Sequence, residues 1–181
     1  KGNIMDNCRM PTGESSSNDC FCHRTAAEIF YEEHFDVSLL QNFENTVWIN
    51  GCFDLLHRGH LRTIRQSAIS GDCLIVGLNS DTSVRQLKGP GRPINSEQER
   101  ALTLAEIPGI RFVIIFSEES PLNILKRIKP RLVFKDEYYE KIEYPEKQFL
   151  NDIGCKVTYL DHLQGLSTTE IENKIQKIKH E

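Results

Sequence analysis

The sequence is short of several things, and each shortage excludes a class. No apolar run comes near the ~20 residues of a membrane-spanning helix; the longest, at residues 112–116, reads FVIIF. No membrane partner is expected. No basic region followed by an apolar stretch opens the residues given, so no secretory signal is expected and the expected setting is cytoplasmic. Positive charge is also in deficit: 22 Lys and Arg stand against 26 Asp and Glu, a net of −4. A protein that binds nucleic acid by neutralising many phosphates is usually basic, so nucleic acid is not an expected partner. No Gly-x-Gly-x-x-Gly follows an apolar run, which argues against hydride-transferring dehydrogenases. The six cysteines lack the spacing of a disulfide framework, and Cys52, Cys73 and Cys155 lie in or beside apolar runs, where a thiol acts as a small hydrophobe. Cys20, Cys22 and His23 have the spacing of half a zinc site, but no second ligand pair follows, and incidental thiols in a polar tail are the favoured reading.

What remains is 181 residues, 39% of them hydrophobic. That suits one domain with an appendage, burying roughly 70% of its unfolded surface without staples. Residues 1–24 are polar and rich in Ser, Asn and Gly, and read as a loose tail. Residues 25–43 place Ala26, Ile29 and Phe30, then Leu39, Leu40 and Phe43, at helical spacings, which predicts an N-terminal helical appendage. The expected division is therefore residues 1–45 as tail and appendage, and 46–181 as the main domain.

From residue 46 the pattern alternates. Apolar strands are predicted at 46–50 (TVWIN), 73–78 (CLIVGL), 111–116 (RFVIIF), 132–134 and 155–160. Between them, residues 61–70 predict a helix with Leu61, Ile64 and Ala68 inward. Ser96 with Glu99 forms a capping box before a helix ending near Pro108, and Pro121 fits the first turn of a helix carrying Leu122, Leu125 and Ile128. Ser167 with Glu170 is a second capping box, before a helix with Ile171, Ile175 and Ile178 inward. Continuously apolar strands alternating with helices imply a doubly wound α/β fold: five parallel strands covered on both faces. Ligands of such sheets bind beyond the carboxyl ends of the strands. That gathers residues 50–60, 79–81, Lys135 and 165–169 near one crevice.

The sharpest motif is Asn50-Gly51-Cys52-Phe53-Asp54, followed by His57-x-Gly59-His60. It lies directly after the first predicted strand and before a helix. Glycine lets a phosphate approach the backbone, and the helix start offers unpaired N–H groups and a positive dipole end. Each imidazole can donate to phosphoryl oxygens as charge moves in a transition state. Two surface histidines in a turn, or a metal pair, are the blander readings; no carboxylate or thiolate at ligand spacing favours the second. Residues 51–104 also hold seven basic and five acidic residues, a locally positive segment that suits a small polyanion.

This motif resembles the signature of the cytidylyltransferase-like nucleotidyltransferases, over about residues 46–178. A second stretch, Lys88-Gly-Pro-Gly-Arg92-Pro through Ser96 to Arg100, is similar to the corresponding part of the bacterial D-glycero-D-manno-heptose 1-phosphate adenylyltransferases. So are Asn79-Ser-Asp81 and residues 116–121 (FSEESP). The resemblance implies a Rossmann-like fold and transfer of a nucleotidyl group, with ATP favoured, from a nucleoside triphosphate onto a sugar phosphate. It implies that His57 and His60 contact the α/β-phosphates, that Lys88 and Arg100 hold the β/γ side, and that Arg92 overhangs the crevice. Mg²⁺ would bridge the triphosphate through waters and phosphate oxygens, its protein ligands unknown. Asn79 and Asp81 are expected at the pocket floor; Asp54 reads equally as a metal contact or a turn cap. Ser167 and Thr168, in Gly165-Leu-Ser-Thr-Thr169, resemble the family's closing nucleotide-holding motif, which is also an ordinary N-cap. Related enzymes are often dimeric, so a homodimer is an expectation, with the 25–43 helix as a candidate interface.

The chain also departs from its relatives. His162 stands where the glycerol-phosphate and phosphoethanolamine branches carry Arg. Lys135-Asp136-Glu137-Tyr138-Tyr139 replaces the Lys-Gly-Gly-Asp-Tyr usual in the heptose branch, and its acidic pair would refuse a phosphate or recruit a sugar hydroxyl. The rivals are a CTP-dependent cytidylyltransferase acting on glycerol phosphate or another acceptor, and a catalytically silent nucleotide-binding module.

Overall fold

The computed structural model describes residues 26–161, together with the helical positions Ile171 and Ile178. Expectations about residues 1–25 and about Ser167, Thr168 and His162 lie outside the described residues. Six parallel strands form one sheet in the order β1-β4-β3-β2-β5-β6. They are β1 (Glu28–Tyr31), β2 (Thr46–Gly51), β3 (Cys73–Asn79), β4 (Ile110–Phe116), β5 (Leu132–Asp136) and β6 (Lys156–Leu160). The helices are α1 (Arg58–Ala68), α2 (Asp81–Lys88), α3 (Glu97–Ala105), α4 (Leu122–Ile128) and α5 (Lys147–Asp152). None of the described helices is long and apolar enough to cross a membrane.

The doubly wound reading holds because side chains alternate across every central strand. Val47, Ile49, Leu74, Val76, Val113 and Ile115 face α1 and α3, where Ile64, Ala101 and Leu104 close one core. Trp48, Ile75, Phe112, Ile114 and Val133 face the other way, onto Ile124, Leu125 and Leu150 of α4 and α5. The capping box at Ser96 and Glu99 opens α3 as expected, with both reciprocal bonds present.

Four expectations need correction; one is Ile178, expected inward but 72% exposed. The predicted 25–43 helix is instead β1 followed by two 3-10 turns, Glu32–His34 and Val37–Leu40. The reason is tertiary: Glu28 to Tyr31 pair with Phe112 to Ile115 of β4, adding a sixth strand to the five expected. Ile29 and Phe30 then enter opposite cores, as strand neighbours must. Leu61 is 46% exposed rather than inward; α1 begins three residues earlier than predicted, and the residues it buries are Ile64 and Ser67. Pro121 is the N-cap of α4, one place before its first turn.

The register of the central pair makes the site. β2 pairs with β3 along its whole length, Thr46 to Gly51. It pairs with β5 only at Val47 with Leu132 and Trp48 with Val133. Beyond that point both strands run on unpaired with each other, and a cleft opens between their carboxyl ends, where strand order reverses.

Candidate active site

The cleft, of about 270 Å³, is lined by the end of β2 (Ile49, Asn50, Gly51), by Phe53, and by His57, Gly59, His60, Arg62, Thr63 and Gln66 at the start of α1. Lys88, the ends of β5 (Phe134, Lys135, Asp136) and β6 (Leu160), and Asp161 complete it. Of the sequence-predicted residues the structure thus gathers Asn50, Gly51, Phe53, His57, Gly59, His60, Lys88 and Lys135.

The two histidines lie face to face. Their ring centroids are 3.9 Å apart with 27° between the planes. His57 is the N-cap of α1: its Nδ1 accepts from the Gly59 N–H at 3.2 Å. An accepting Nδ1 leaves the ring proton on Nε2, so His57 enters the site as an Nε2–H donor. Gly59 is required by contact, because a Cβ there would lie 2.9 Å from the His57 ring. His60 packs 5.2 Å from the Phe53 ring, and its Nδ1 is buried without a hydrogen-bond partner. Burial, reinforced by His57 and Lys88, pushes the His60 pKa down to about 4. It is therefore a neutral imidazole near neutral pH. Phe53 itself sits at φ 46, a left-handed conformation that costs a non-glycine residue ~1–2 kcal/mol. Its buried ring, in contact with the α1/α3 core, holds it there.

Lys88 reaches the cleft from the last turn of α2, where a cation suits the helix dipole. That helix was not predicted, although Ser80 caps its start and Gly89, at φ 98, ends it: a Ser-to-Gly frame legible in the sequence.

Six predicted residues do not line the cleft: Cys52, Asp54, Asn79, Asp81, Arg92 and Arg100. They form the frame behind it. Arg100 is 2% exposed. Its Nε donates to Asn95 O (3.0 Å), Nη1 to Cys52 O (2.5 Å) and Asn79 O (2.8 Å), and Nη2 to Asp81 Oδ1 (2.7 Å). It ties the ends of β2 and β3 to α3 instead of reaching into the cleft toward the β/γ-phosphates as expected, and Arg92, expected to overhang the crevice, pairs with Asp54. Asn79 and Asp81 are thereby occupied rather than floor residues. The Asn79 side chain donates to Ser83 Oγ, and the Asp81 N–H donates to Glu97 Oε2. Asp54 is engaged within the chain. Its carboxylate pairs with Arg92 at 2.7 Å and accepts from the Ile94 and Asn95 N–H groups, holding residues 92–95 down. These donors hold its pKa below the usual carboxylate range against the opposing effect of burial. Burial raises the Cys52 thiol, so it stays protonated.

Lys135 lines the cleft but is already matched. Its ammonium is 2.6 Å from Glu146 Oε1 and lies over the Tyr139 and Tyr144 rings. Among the described residues no group of three or more His, Cys, Asp or Glu side chains is placed to hold a metal ion. The cleft's carboxylates are Asp136 and Asp161. That sparse set fits Mg²⁺ carried in on a triphosphate, which keeps most of its ligands as waters and phosphate oxygens.

Comparison with known proteins agrees with this architecture. The cytidylyltransferase-like family matches residues 48–174. The bifunctional protein HldE of Wolinella succinogenes is 43% identical over 130 residues, 72% of this chain and 27% of that protein. The bifunctional protein HldE of Campylobacter jejuni subsp. jejuni is 41% identical over 149 residues, 82% of this chain and 31% of that protein. The chain thus spans less than a third of these relatives. Among solved structures, a lipopolysaccharide core biosynthesis protein from Thermoplasma volcanium shares the fold with TM-score 0.52 and 24% identity, over 66% of this chain and 96% of that one. A pantoate-beta-alanine ligase from Francisella tularensis does so with TM-score 0.52 and 17% identity, over 80% and 76%.

Proposed function

Because the chain belongs to the cytidylyltransferase-like family and is a nucleotidyltransferase, we propose that it transfers an adenylyl group from ATP to a sugar 1-phosphate of the heptose type. The observation that carries this reading is the stacked His57–His60 pair at the mouth of the β2/β5 split, with Lys88 lining the same cleft. The cleft brings the donors His57 and Lys88 to where the triphosphate would lie, and the reaction needs no nucleophile from the protein because the acceptor phosphate supplies it.

A phosphate oxygen of the acceptor attacks the α-phosphorus in line. The bond from that phosphorus to the bridging oxygen breaks, and pyrophosphate leaves with the electron pair. His57 donates from Nε2–H to a phosphoryl oxygen, and neutral His60 lies against it, so both stabilise charge without a proton transfer. Lys88 neutralises the leaving pyrophosphate. Arg100 and Asp54 keep the β2–α1 bend and the 92–95 loop in place, the positioning half of catalysis. Mg²⁺ would neutralise the triphosphate, with Asp136 and Asp161 the carboxylates within reach of the cleft. The likeness to HldE proteins and the heptose-type motifs at Lys88–Arg100 support the sugar phosphate, and the adenine follows the same motifs.

The test is pyrophosphate release from ATP, CTP and GTP against heptose 1-phosphate and glycerol 3-phosphate. ATP with heptose 1-phosphate should be the productive pair. Productive CTP with glycerol 3-phosphate would replace this reading by a cytidylyltransferase. Nucleotide binding with no release for any pair would replace it by a silent binding module.

A further inference from the structure

The edge strand β1 is bonded to helix α3 at both ends of that helix. Just ahead of β1, the Ala27 N–H donates at 2.9 Å to the carbonyl of Ala105, the last residue of α3. At the other end of the strand, the Tyr31 hydroxyl donates at 3.2 Å to Oε1 of Glu97, the first residue of α3. Ile29, between them, is buried in the same core as Ala101, Leu104 and Ala105 of that helix. β1 therefore lies along α3 as a strap. Burial, and then the Glu97 carboxylate, raise the Tyr31 pKa, which keeps the phenol protonated and donating. Glu97 passes the connection on. Its Oε2 accepts at 2.7 Å from the N–H of Asp81, the first residue of α2, so one carboxylate serves the starts of two helices. The Asp81 side chain accepts in turn from Arg100 of α3 at 2.7 Å. These bonds fasten α2 at its first turn, where Ser83 and Val84 are also buried. Residues 85–88 are exposed. The end of α2 that carries Lys88 thus has no packing of its own, and its place is set from the Asp81 end, about 10 Å away at ~1.5 Å per residue.

We propose that Tyr31 is a positioning residue for Lys88. Its hydroxyl holds Glu97 in the rotamer that accepts from the Asp81 N–H, and that bond sets the direction in which α2 delivers its lysine to the cleft. Without the hydroxyl the carboxylate is free to turn toward solvent and α2 to tilt. A tilt of roughly 5° at Asp81 displaces Lys88 by about 1 Å, enough to weaken a phosphate contact. The role rests on the transferase reading above, in which Lys88 meets the nucleotide's phosphates. It makes residues 28–31, expected as part of a separate appendage, part of the scaffold of the site.

Calorimetry on the full chain with α,β-methylene-ATP and Mg²⁺ tests this, because it reads nucleotide binding apart from acceptor and turnover. Tyr31→Phe removes one oxygen and should weaken binding of the analogue about fivefold. In a Lys88→Ala background the same change should alter affinity by less than about twofold, because the lysine it positions is gone. Ile29→Val controls for mere loosening of β1: it should lower the melting temperature and leave affinity at the wild-type value. Wild-type affinity in Tyr31→Phe overturns the role and leaves the transferase reading standing. An equal loss with and without Lys88 does the same, and so does a loss in Ile29→Val as large as that in Tyr31→Phe. A wild-type chain with no affinity for the analogue overturns the transferase reading, and the role with it.

Discussion

The chemistry turns on two imidazoles that differ only in surroundings. His57 is oriented by a backbone N–H, while His60 is pressed between two rings with a buried, unpartnered nitrogen. The His60 pKa of about 4 lies below the 6.5 of an open chain, so the folded state binds fewer protons between those values. Its contribution to stability is complete above about pH 6.5 and is lost as pH falls toward 4. ATP supplies negative charge that favours imidazolium, so bound nucleotide should move this titration upward. Histidine side-chain NMR from pH 3.5 to 8 reads both effects; a His60 that titrates near 6.5 in the free protein would contradict the burial account. His57→Ala should lower kcat by about 10²–10³, the loss typical of one transition-state donor, and cost about 1 kcal/mol of stability because the side-chain cap of α1 is lost. Arg100 should behave in the opposite way. Its partners are three backbone carbonyls and Asp81, so Arg100→Met should cost about 3 kcal/mol in denaturant unfolding of the free protein. A phosphate ligand at the surface would leave the unliganded protein's stability alone.

Between strand β2 and helix α1 the site depends on one close approach. Gly59→Ala should help the helix by up to ~1 kcal/mol, since Ala is the better helix former. The same methyl would press on the His57 ring at 2.9 Å. Melting temperature should hold or rise while turnover drops about tenfold; a fall in both would mean that the turn, and not the ring, is disturbed. At this scale most of the architecture was legible. Strands such as CLIVGL and RFVIIF are too short and too apolar to be surface helices, and Ser96 with Glu99 announces α3. The first strand was not legible: EIFY satisfies helical and alternating spacing equally over so few residues. Only its pairing with β4, a contact some eighty residues away, decides between them. The His57–His60 motif was legible because strand, glycine and helix start are contiguous in sequence. Arg100 misled for the same reason in reverse: its type and spacing suit a phosphate, but its partners Cys52 and Asn79 come from distant strand ends that no local pattern reports.

Across the whole molecule the same sheet order that opens the cleft also places residues 28–40 on the far edge, and there the fold carries a proton-sensitive joint. Arg127 of α4 donates to Glu32 O at 2.7 Å and to Phe35 O, binding the first 3-10 turn to the body. The Glu32 carboxyl, half-buried beside Glu118, has its pKa raised to about 7, chiefly by burial and then by a shared hydrogen bond with Glu118. A carboxyl whose folded pKa exceeds its open-chain value near 4.5 is favoured while protonated. That stability is whole below about pH 4.5 and is lost as pH rises through 7, when two carboxylates face each other and Arg127 offsets the repulsion only in part. Glu32→Gln keeps the hydrogen bond and removes the charge. It should leave the melting temperature unchanged at pH 5 and raise it at pH 8, and hydrogen exchange along Glu28–Tyr31 should slow at pH 8 in step. Equal shifts at both pH values would show that packing, and not the shared proton, governs this edge.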